Sequence, residues 1–294
     1  MLRPEWVLIL ATILWGTSWV PLQAFAELGI SGMPMVLASY GLIALFALPL
    51  FYWQRRAWWP QRWGLLGIIL FGGWANASLI SSLSLAEDLV RVMLLFYLAP
   101  VWGVLGGWLL LRERITALRL LALGLALVGI GLTLGVGRDT FSRMTSIDWL
   151  AVSAGLGFAL NNLATRAADR VPMASKTVAA FVGSALFAGL ACALYGEWWP
   201  ALGVQTWLWI VLFAVGWLLL ATLGAQYGVT HLPASKAAVL VACELIAAVL
   251  SVAWLNDEPI GLRTWVGAGM VSLAAVMAGW PEQNIENELA RSSS

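Results

Sequence analysis

The chain contains two similar stretches about 145 residues apart, both in almost continuous apolar sequence. The first reads LAPVWGVLGGWLLLRERITALRLLALGLALVGIGL around Glu113, and the second reads CELIAAVLSVAWLNDEPIGLRTWVGAGMVSLAAVM around Glu258. In each copy an apolar helix ends at an acidic turn, and a second apolar helix with spaced glycines follows it. Trp6 and Trp149 also open matching helices. Similarity at a fixed separation indicates an internal duplication, which within a membrane is typical of transporters.

The composition excludes an ordinary soluble domain. Hydrophobic residues make up 61% of the chain and charged residues 11%, whereas about a quarter of a soluble domain is charged. The net charge of +1 gives no indication of nucleic-acid binding. The two cysteines lie in apolar tracts without the spacing of a metal site, so we expect no metal and no cofactor.

Ten apolar segments are long enough to cross a bilayer, which needs about 20 residues per helix. The sequence therefore predicts an all-α membrane protein with ten transmembrane helices. The last residues, 282–294, form a polar tail that we expect to be unstructured. The predicted spans are roughly 5–25, 33–53, 63–83, 89–111, 117–136, 148–167, 174–195, 206–228, 234–255 and 262–280.

The basic residues predict the orientation of these helices. With both termini in the cytoplasm, twelve of the 16 Lys and Arg residues lie on the cytoplasmic side. The predicted repeats are residues 1–139 and 140–281, with five helices each. Because five is odd, the second repeat must cross the membrane in the opposite direction. Inverted repeats place a substrate site near the bilayer midplane, at their interface.

Several motifs resemble the EamA-type ten-helix branch of the drug/metabolite transporter superfamily. The motifs are LWGTSW at 14–19, LAP at 98–100, the helix-acid turns LLLRERIT and AWLNDEPI, and the glycine-rich helices that follow those turns. The resemblance covers about residues 5–280. It implies a secondary transporter and not an enzyme.

Within this branch, the tryptophan-rich sequence and the stretch SLAEDLVRVMLLFYLAPVW are most similar to the YddG-type exporters of aromatic amino acids. This resemblance implies export of neutral, often aromatic amino acids, and of organic cations, across a bacterial cytoplasmic (inner) membrane. We expect the lipid bilayer and the amino-acid substrate as partners, no nucleic acid, and a functional monomer. The second half has Leu245 where the first has Pro100, so the halves should not gate identically.

Charged residues within the spans are candidates for function because charge at membrane depth is costly. Glu244 could carry a proton or bind a substrate amine, or it could be an inert carboxyl that is hydrogen-bonded between helices. Arg91 and Lys236 begin equivalent helices and could attract a substrate carboxylate at the cavity mouths. They could equally extend to the interface, a common behaviour of long basic side chains.

Indole, amide and hydroxyl groups within the spans suit a hydrophobic amino acid, which needs an apolar cavity with a few polar groups. Most of the 19 tryptophans should instead form interfacial belts. The candidate binding residues, together with Glu244, are Trp15, Ser18, Trp19, Asn76, Ser78, Tyr97, Trp102, Asn161, Asn162, Trp217, Gln226 and Tyr227.

Other functions compete with amino-acid export. No GxxxxGK[ST] motif occurs, so ATP hydrolysis is not expected to drive transport. A nucleotide-sugar or phosphate-ester carrier would favour several cations inside the cavity, whereas the basic residues here cluster at helix ends. An intramembrane lipid-modifying enzyme would need convergent acids or a metal site. The residues leave proton coupling and facilitated diffusion as open alternatives.

Overall fold

A computed structural model describes residues 3–111, 116–134, 144–232, 234–255 and 260–278. The regular elements in these ranges are helices, and no strand occurs within them. The predicted all-helical fold is therefore confirmed. Helices occupy each of the ten predicted segments, although several segments are divided into shorter pieces.

The helices of the amino-terminal half are α1 (Pro4–Gly16), α2 (Trp19–Glu27), α3 (Gly32–Trp53), α4 (Arg55–Trp58), α5 (Arg62–Gly67), α6 (Gly73–Leu85), α7 (Leu89–Phe96), α8 (Ala99–Leu111) and α9 (Ala117–Leu134). Those of the second half are α10 (Ser146–Ala167), α11 (Met173–Tyr195), α12 (Val204–Phe213), α13 (Leu220–His231), α14 (Ala234–Leu255) and α15 (Leu262–Ala278). A short 3₁₀ turn (Trp59–Gln61) follows α4, and π-helical turns join α5 to α6 and α12 to α13.

Six helical stretches of the described residues are long and apolar enough to cross a bilayer. Shorter apolar helices cover Leu120–Thr133, Cys243–Leu255 and Leu262–Met277. The segment α10 belongs to neither group, and it contains Asp148 and the pair Asn161–Asn162. The chain is therefore a multi-pass helical protein, while ten crossings, inverted repeats and cytoplasmic termini stay predictions.

The helices pack in a reciprocal pattern across the two halves. α1 packs on α13 and α14, and α10, which opens the second half, packs on α6, α7 and α8. α3 packs on α11, and α9 packs on α15, so each of these pairs joins matching segments. The pairings are thus the same when the two halves are exchanged.

This pattern defines two groups of helices that each draw on both halves. The first unit consists of α5, α6, α7 and α8 together with α10. The second unit consists of α12, α13 and α14 together with α1 and α2. The units meet where α7 packs on α14 and where α2 packs on α6.

Glycines allow the closest helix contacts. A Cβ atom on Gly129 of α9 would lie 2.8 Å from the carbonyl oxygen of Gly267 of α15, and one on Gly267 would overlap the Thr133 hydroxyl. A Cβ on Gly73 of α6 would overlap the backbone of Gly183 in α11. By contrast, Gly124, which the repeat aligns with Gly269, has open space. Small residues therefore let the backbones approach directly, as is common between membrane helices.

Two predicted spans of the first half are broken near their centres. α1 ends at Gly16 and α2 begins at Trp19, while α7 ends at Phe96 and α8 begins at Ala99. A proline follows each break, Pro21 and Pro100 respectively. Proline lacks the N–H that would bond to the carbonyl four residues earlier, so the helical ladder is interrupted at that point. In the second half the equivalent helices, α10 and α14, run without a break.

A π-helical turn occurs in the third segment of each half. The turns are Ile68–Gly72 and Ala214–Leu219. The first leads directly into Gly73-Trp74, and the second contains Gly216-Trp217. π-helical turns inside α-helices are rare and are frequent at functional sites. The repeated turns draw attention to their tryptophans.

Candidate functional site

The break between α1 and α2 is held by hydrogen bonds from two tryptophans. The carbonyl of Leu14 has lost its usual helical donor because the amide of Ser18 bonds to Trp15 instead. The indole Nε1 of Trp217 donates to this carbonyl at 2.7 Å. The Trp19 indole donates to the Ser251 hydroxyl of α14 at 2.9 Å. The break is therefore fixed by α14 and by the π-helical turn of the same unit.

At the first break, α1 also packs on α14 at the level of Glu244. A Cβ atom on Gly16 would overlap the carbonyl oxygen of Glu244 and would lie 3.0 Å from the Cβ of Ala247. The backbones of α1 and α14 are thus in direct contact beside Glu244. Only a glycine fits at this position without moving one of the helices.

The break between α7 and α8 rests on α10. The carbonyl of Phe96 would normally bond to the amide at position 100, which is a proline. A Cβ atom on Gly155 of α10 would lie 2.5 Å from this carbonyl oxygen. The Phe96 and Phe158 rings meet edge to face with centroids 5.6 Å apart. The backbone at the second break therefore packs directly against a glycine of the other half.

The two breaks meet the same part of α14. The Tyr97 side chain, at the second break, lies against Glu244 and Leu245. Tyr97 is 6% exposed, and its buried hydroxyl interacts with the Glu244 carboxyl. No cation among those residues pairs with Glu244. The arrangement leaves a carboxyl and a phenol side by side where the two units meet.

Two further buried polar atoms lie on α8 and on α10. The Trp102 indole Nε1 and the Asn161 carbonyl Oδ1 are both buried without a hydrogen-bonding partner in the described part of the chain. Gly155 and Leu163 form the face of α10 that meets the α7–α8 segment, whereas Asn161 faces the π-helical turn, where a Cβ atom on Gly72 would lie 2.6 Å from its Oδ1. Unpaired buried polar atoms are rare in folded proteins and are costly when nothing binds them.

The predicted cation Arg91 is already paired. Its guanidinium donates to the Asp148 carboxylate from Nε at 2.8 Å and from Nη2 at 2.9 Å. The predicted cation Lys236 lies on α14, but its side chain lies outside the described residues, as do Glu113 and Glu258. The Arg91 guanidinium is therefore bound by a carboxylate of the second half, and its predicted role at a cavity mouth stays a prediction.

The other predicted residues near the breaks bind mainly to their own helices. The Ser18 hydroxyl donates to the Trp15 carbonyl at 2.7 Å, and the Ser78 hydroxyl donates to the Trp74 carbonyl at 2.6 Å. Both serines are fully buried. Trp15 and Asn76 are half-buried. These residues lie beside the breaks, and the hydroxyl protons of the two serines are already donated to backbone carbonyls.

Three predicted residues lie away from this cluster. Asn162 follows Asn161 on α10 but is exposed on another face. Gln226 and Tyr227 lie near the end of α13, whose Gly228 packs against Leu8 of α1. That level is about 12 Å from Gly16 along α1, at 1.5 Å of rise per residue. The structure therefore does not bring Gln226 and Tyr227 to the breaks.

Two important residues were not among the predicted ones. Trp74, which is 143 residues before Trp217, donates from its indole to the Ser153 hydroxyl of α10 at 3.2 Å. The repeat offset was the signal that could have identified it. Asp148 binds Arg91 across 57 residues of sequence, and no local pattern indicates that pairing.

A polar cluster joins the loops at one end of the first unit. The Gln61 amide donates to the Asp169 carboxylate at 2.6 Å, and the Arg170 amide donates to the Gln61 carbonyl at 2.9 Å. The hydrogen bond from Gln61 is the main reason that the pKa of Asp169 lies below its ordinary value. This cluster fixes the end of α10 opposite to Asp148.

The fold and the apolar helices define a multi-pass helical membrane protein with buried polar groups where two helical units meet. The sequence model of the EamA-like transporter family matches residues 2–135 and matches again at residues 145–280. The chain belongs to the EamA-like transporter family, and it is a multi-pass membrane transporter.

Individual relatives agree with this assignment. The chain is 26% identical over 219 residues to an uncharacterized transporter of Archaeoglobus fulgidus, covering 74% of this chain and 76% of that protein. It is also 26% identical over 229 residues to an uncharacterized transporter of Pseudomonas aeruginosa, covering 74% of this chain and 64% of that protein. A solved crystal structure matches with a TM-score of 0.61 and 18% identity over 94% of this chain and 95% of its own. That similarity concerns the fold alone.

Proposed function

We propose that the protein exports neutral and aromatic amino acids by alternating access through a site where its two units meet. It acts as a monomer in a bacterial cytoplasmic membrane, with both termini in the cytoplasm. The carrying observation is the pair of buried polar side chains where the two units meet, Glu244 and Tyr97, together with the unpaired Trp102 indole of α8. An apolar site with a few unpaired polar groups suits a zwitterion with an apolar side chain.

The polar groups at the second break suit different parts of such a substrate. The Trp102 indole can only donate, so it suits a carboxylate oxygen. The Tyr97 hydroxyl can donate or accept, so it can bind the substrate beside Glu244. Aromatic residues around the break give an apolar surface for the substrate side chain, and their faces attract an ammonium group.

Glu244 binds the substrate ammonium group in this proposal. It lies beside Tyr97 on the helix that contacts both breaks, and no described cation neutralises it. A hydrogen bond to a charged group contributes about 1.5–3 kcal/mol, which corresponds to a roughly 10- to 150-fold change in affinity. A bound substrate ammonium would thus offset the free-energy cost of burying the ionised Glu244 carboxylate.

The inverted arrangement of the halves is part of the same proposal. The family model matches twice, the pairings of helices are reciprocal, and each half has five predicted spans. An odd number of spans per half requires opposite directions in the membrane. Inversion gives two equivalent pathways, one to each side, around one central site.

A phosphate-ester carrier is less well supported by the contacts. Such cargo needs cations within the site, and the guanidinium of Arg91 is bound by both oxygens of Asp148. Phosphate esters should nevertheless be included in the assay, since their transport would contradict the amino-acid proposal.

Counterflow into proteoliposomes tests the proposal. Vesicles preloaded with unlabelled phenylalanine, tryptophan, leucine, glutamate or glycerol phosphate are mixed with labelled phenylalanine. We expect uptake with the neutral amino acids inside and none with glutamate or glycerol phosphate inside. Absence of counterflow for every neutral amino acid would reject the proposed cargo.

Matched variants test the site itself. Trp102→Phe removes the unpaired donor and should lower kcat/KM for phenylalanine by about tenfold, the effect of one hydrogen bond. Tyr40→Phe is the control, because the Tyr40 hydroxyl is equally buried and unpaired but lies between α3 and α11. Equal losses in both variants would show that the loss does not report substrate binding.

Glu244→Gln separates the roles of the carboxyl. A role in binding the amine predicts a raised KM whether or not a pH gradient is imposed. A role in proton antiport predicts that flux driven by a pH gradient is abolished, while exchange at equal pH continues. An unchanged KM together with an unchanged response to the gradient would leave Glu244 a structural residue.

A further inference from the structure

The ion pair between Arg91 and Asp148 is placed at the start of two helices. Asp88 caps α7 by accepting from the Arg91 amide at 2.9 Å. Asp148 forms a capping box with Thr145 at the start of α10, and its carboxylate accepts both guanidinium bonds as well. Asp148 is 3% exposed. The pair therefore joins a segment of the first half to the first segment of the second half.

The position of this pair follows from the helix packing. Gly155 of α10 lies against Phe96 and Ala99 of the α7–α8 segment. Moving seven residues back from Gly155 reaches Asp148, and moving five to eight residues back from Phe96–Ala99 reaches Arg91. Because both helices rise about 1.5 Å per residue, two residues at equal distances from a contact lie at the same level.

We propose that Arg91 and Asp148 form a charge staple that keeps α10 within the first unit. The staple attaches the first segment of the second half to a unit built mainly from the first half. It stays closed while the units move against each other, a step that rests on the proposed transport cycle.

The alternative role for such a pair is a gate that opens once in every cycle. The contacts favour a staple, since α10 packs along both α7 and α8 and receives the Phe96 carbonyl on Gly155. Opening the pair would separate helices that are in backbone contact, whereas the units meet elsewhere, at α7 with α14 and α2 with α6.

Charge reversal tests the staple without any substrate. Arg91→Glu and Asp148→Arg should each lower the melting temperature in detergent by about 5 °C or more, and the double variant should regain most of the loss. Arg263→Glu on α15, whose arginine is exposed, is the control and should change little.

The double variant decides whether the two charges act as a pair. Additive losses in R91E/D148R would reject the proposal. Asp148 also caps α10, so the recovery is measured against D148R alone as well as against R91E.

Cross-linking distinguishes a staple from a gate. R91C/D148C is prepared with Cys192 and Cys243 replaced by alanine, and is joined by a short bifunctional thiol reagent. We expect the flux of the joined protein to equal the flux before joining. Loss of flux that returns on reduction would overturn the staple and indicate a gate. Absence of flux in the unaltered protein would contradict the proposed cargo instead, and the melting experiments would still decide the pairing.

Discussion

The first half breaks two of its helices, whereas the second half keeps their equivalents whole. The α1–α2 and α7–α8 segments are interrupted ahead of Pro21 and Pro100, and the equivalent α10 and α14 are continuous. At the repeat offsets, Ala164 and Leu245 occupy the equivalents of the prolines. Both breaks lie against unbroken helices of the other half. The two halves thus share one arrangement of helices, and the proposed site lies where their sequences differ.

A proline alone does not explain a break. Pro49 lies inside α3, and the helix continues to Trp53. At the first break the freed carbonyl of Leu14 receives the Trp217 indole, and at the second the Phe96 carbonyl faces Gly155. A break is therefore stable where a neighbour binds or accommodates the exposed carbonyl.

Introducing a proline into the second half should have the largest effect. Leu245→Pro places a proline in the middle of the continuous helix α14, where Leu245 is fully buried, and removes the hydrogen bond to the carbonyl four residues earlier. We expect a loss of about 3 kcal/mol or more in unfolding free energy, measured by denaturation in mixed micelles. Leu245→Ala is the control for lost volume. Equal losses in both variants would contradict a special role for proline in the comparison.

The sequence predicted the positions of the helical segments better than the contacts at the candidate site. Long apolar segments and the repeat located the helical segments because hydrocarbon burial and the 20-residue span are local constraints. The absence of a proline at Leu245 predicted the asymmetry between the halves. The partners of the breaks could not be predicted, since Trp217 reaches Leu14 across 203 residues and the π-helical turns have no sequence signature. The Arg91–Asp148 pair depends on tertiary packing in the same way.

The next largest effect is expected on the unfolding free energy when two equivalent tryptophans are replaced in turn. Trp217→Phe leaves the buried Leu14 carbonyl without a donor, which should cost about 1–3 kcal/mol. Trp74→Phe should cost about 0.5–1 kcal/mol of hydrogen-bond energy, because the Ser153 hydroxyl keeps its own bond to Leu150 at 2.8 Å. Both variants lose the same side-chain volume. Their difference in unfolding free energy therefore measures the cost of leaving the Leu14 carbonyl without a donor. A larger loss for Trp74→Phe would reject this account of the first break.

A smaller effect on stability, with a measurable effect on transport, is expected when a break is repaired. Pro100→Ala restores an amide that can bond to the Phe96 carbonyl, so the α7–α8 segment should become more continuous. We expect the unfolding free energy to change by less than about 1 kcal/mol and the flux to fall by about tenfold, which is roughly 1.4 kcal/mol of barrier. Flux equal to that of the unaltered protein would show that the break is not needed for transport.

The central claim is that substrate binds where the broken helices meet the unbroken ones. Thiol labelling of Trp102→Cys in proteoliposomes tests it most directly, with Leu105→Cys on the exposed face of α8 as the neighbouring control and both native cysteines replaced. We predict that phenylalanine slows labelling at position 102 and leaves the rate at position 105 unchanged. Unchanged labelling at position 102, in protein that shows phenylalanine counterflow, would contradict this location of the site.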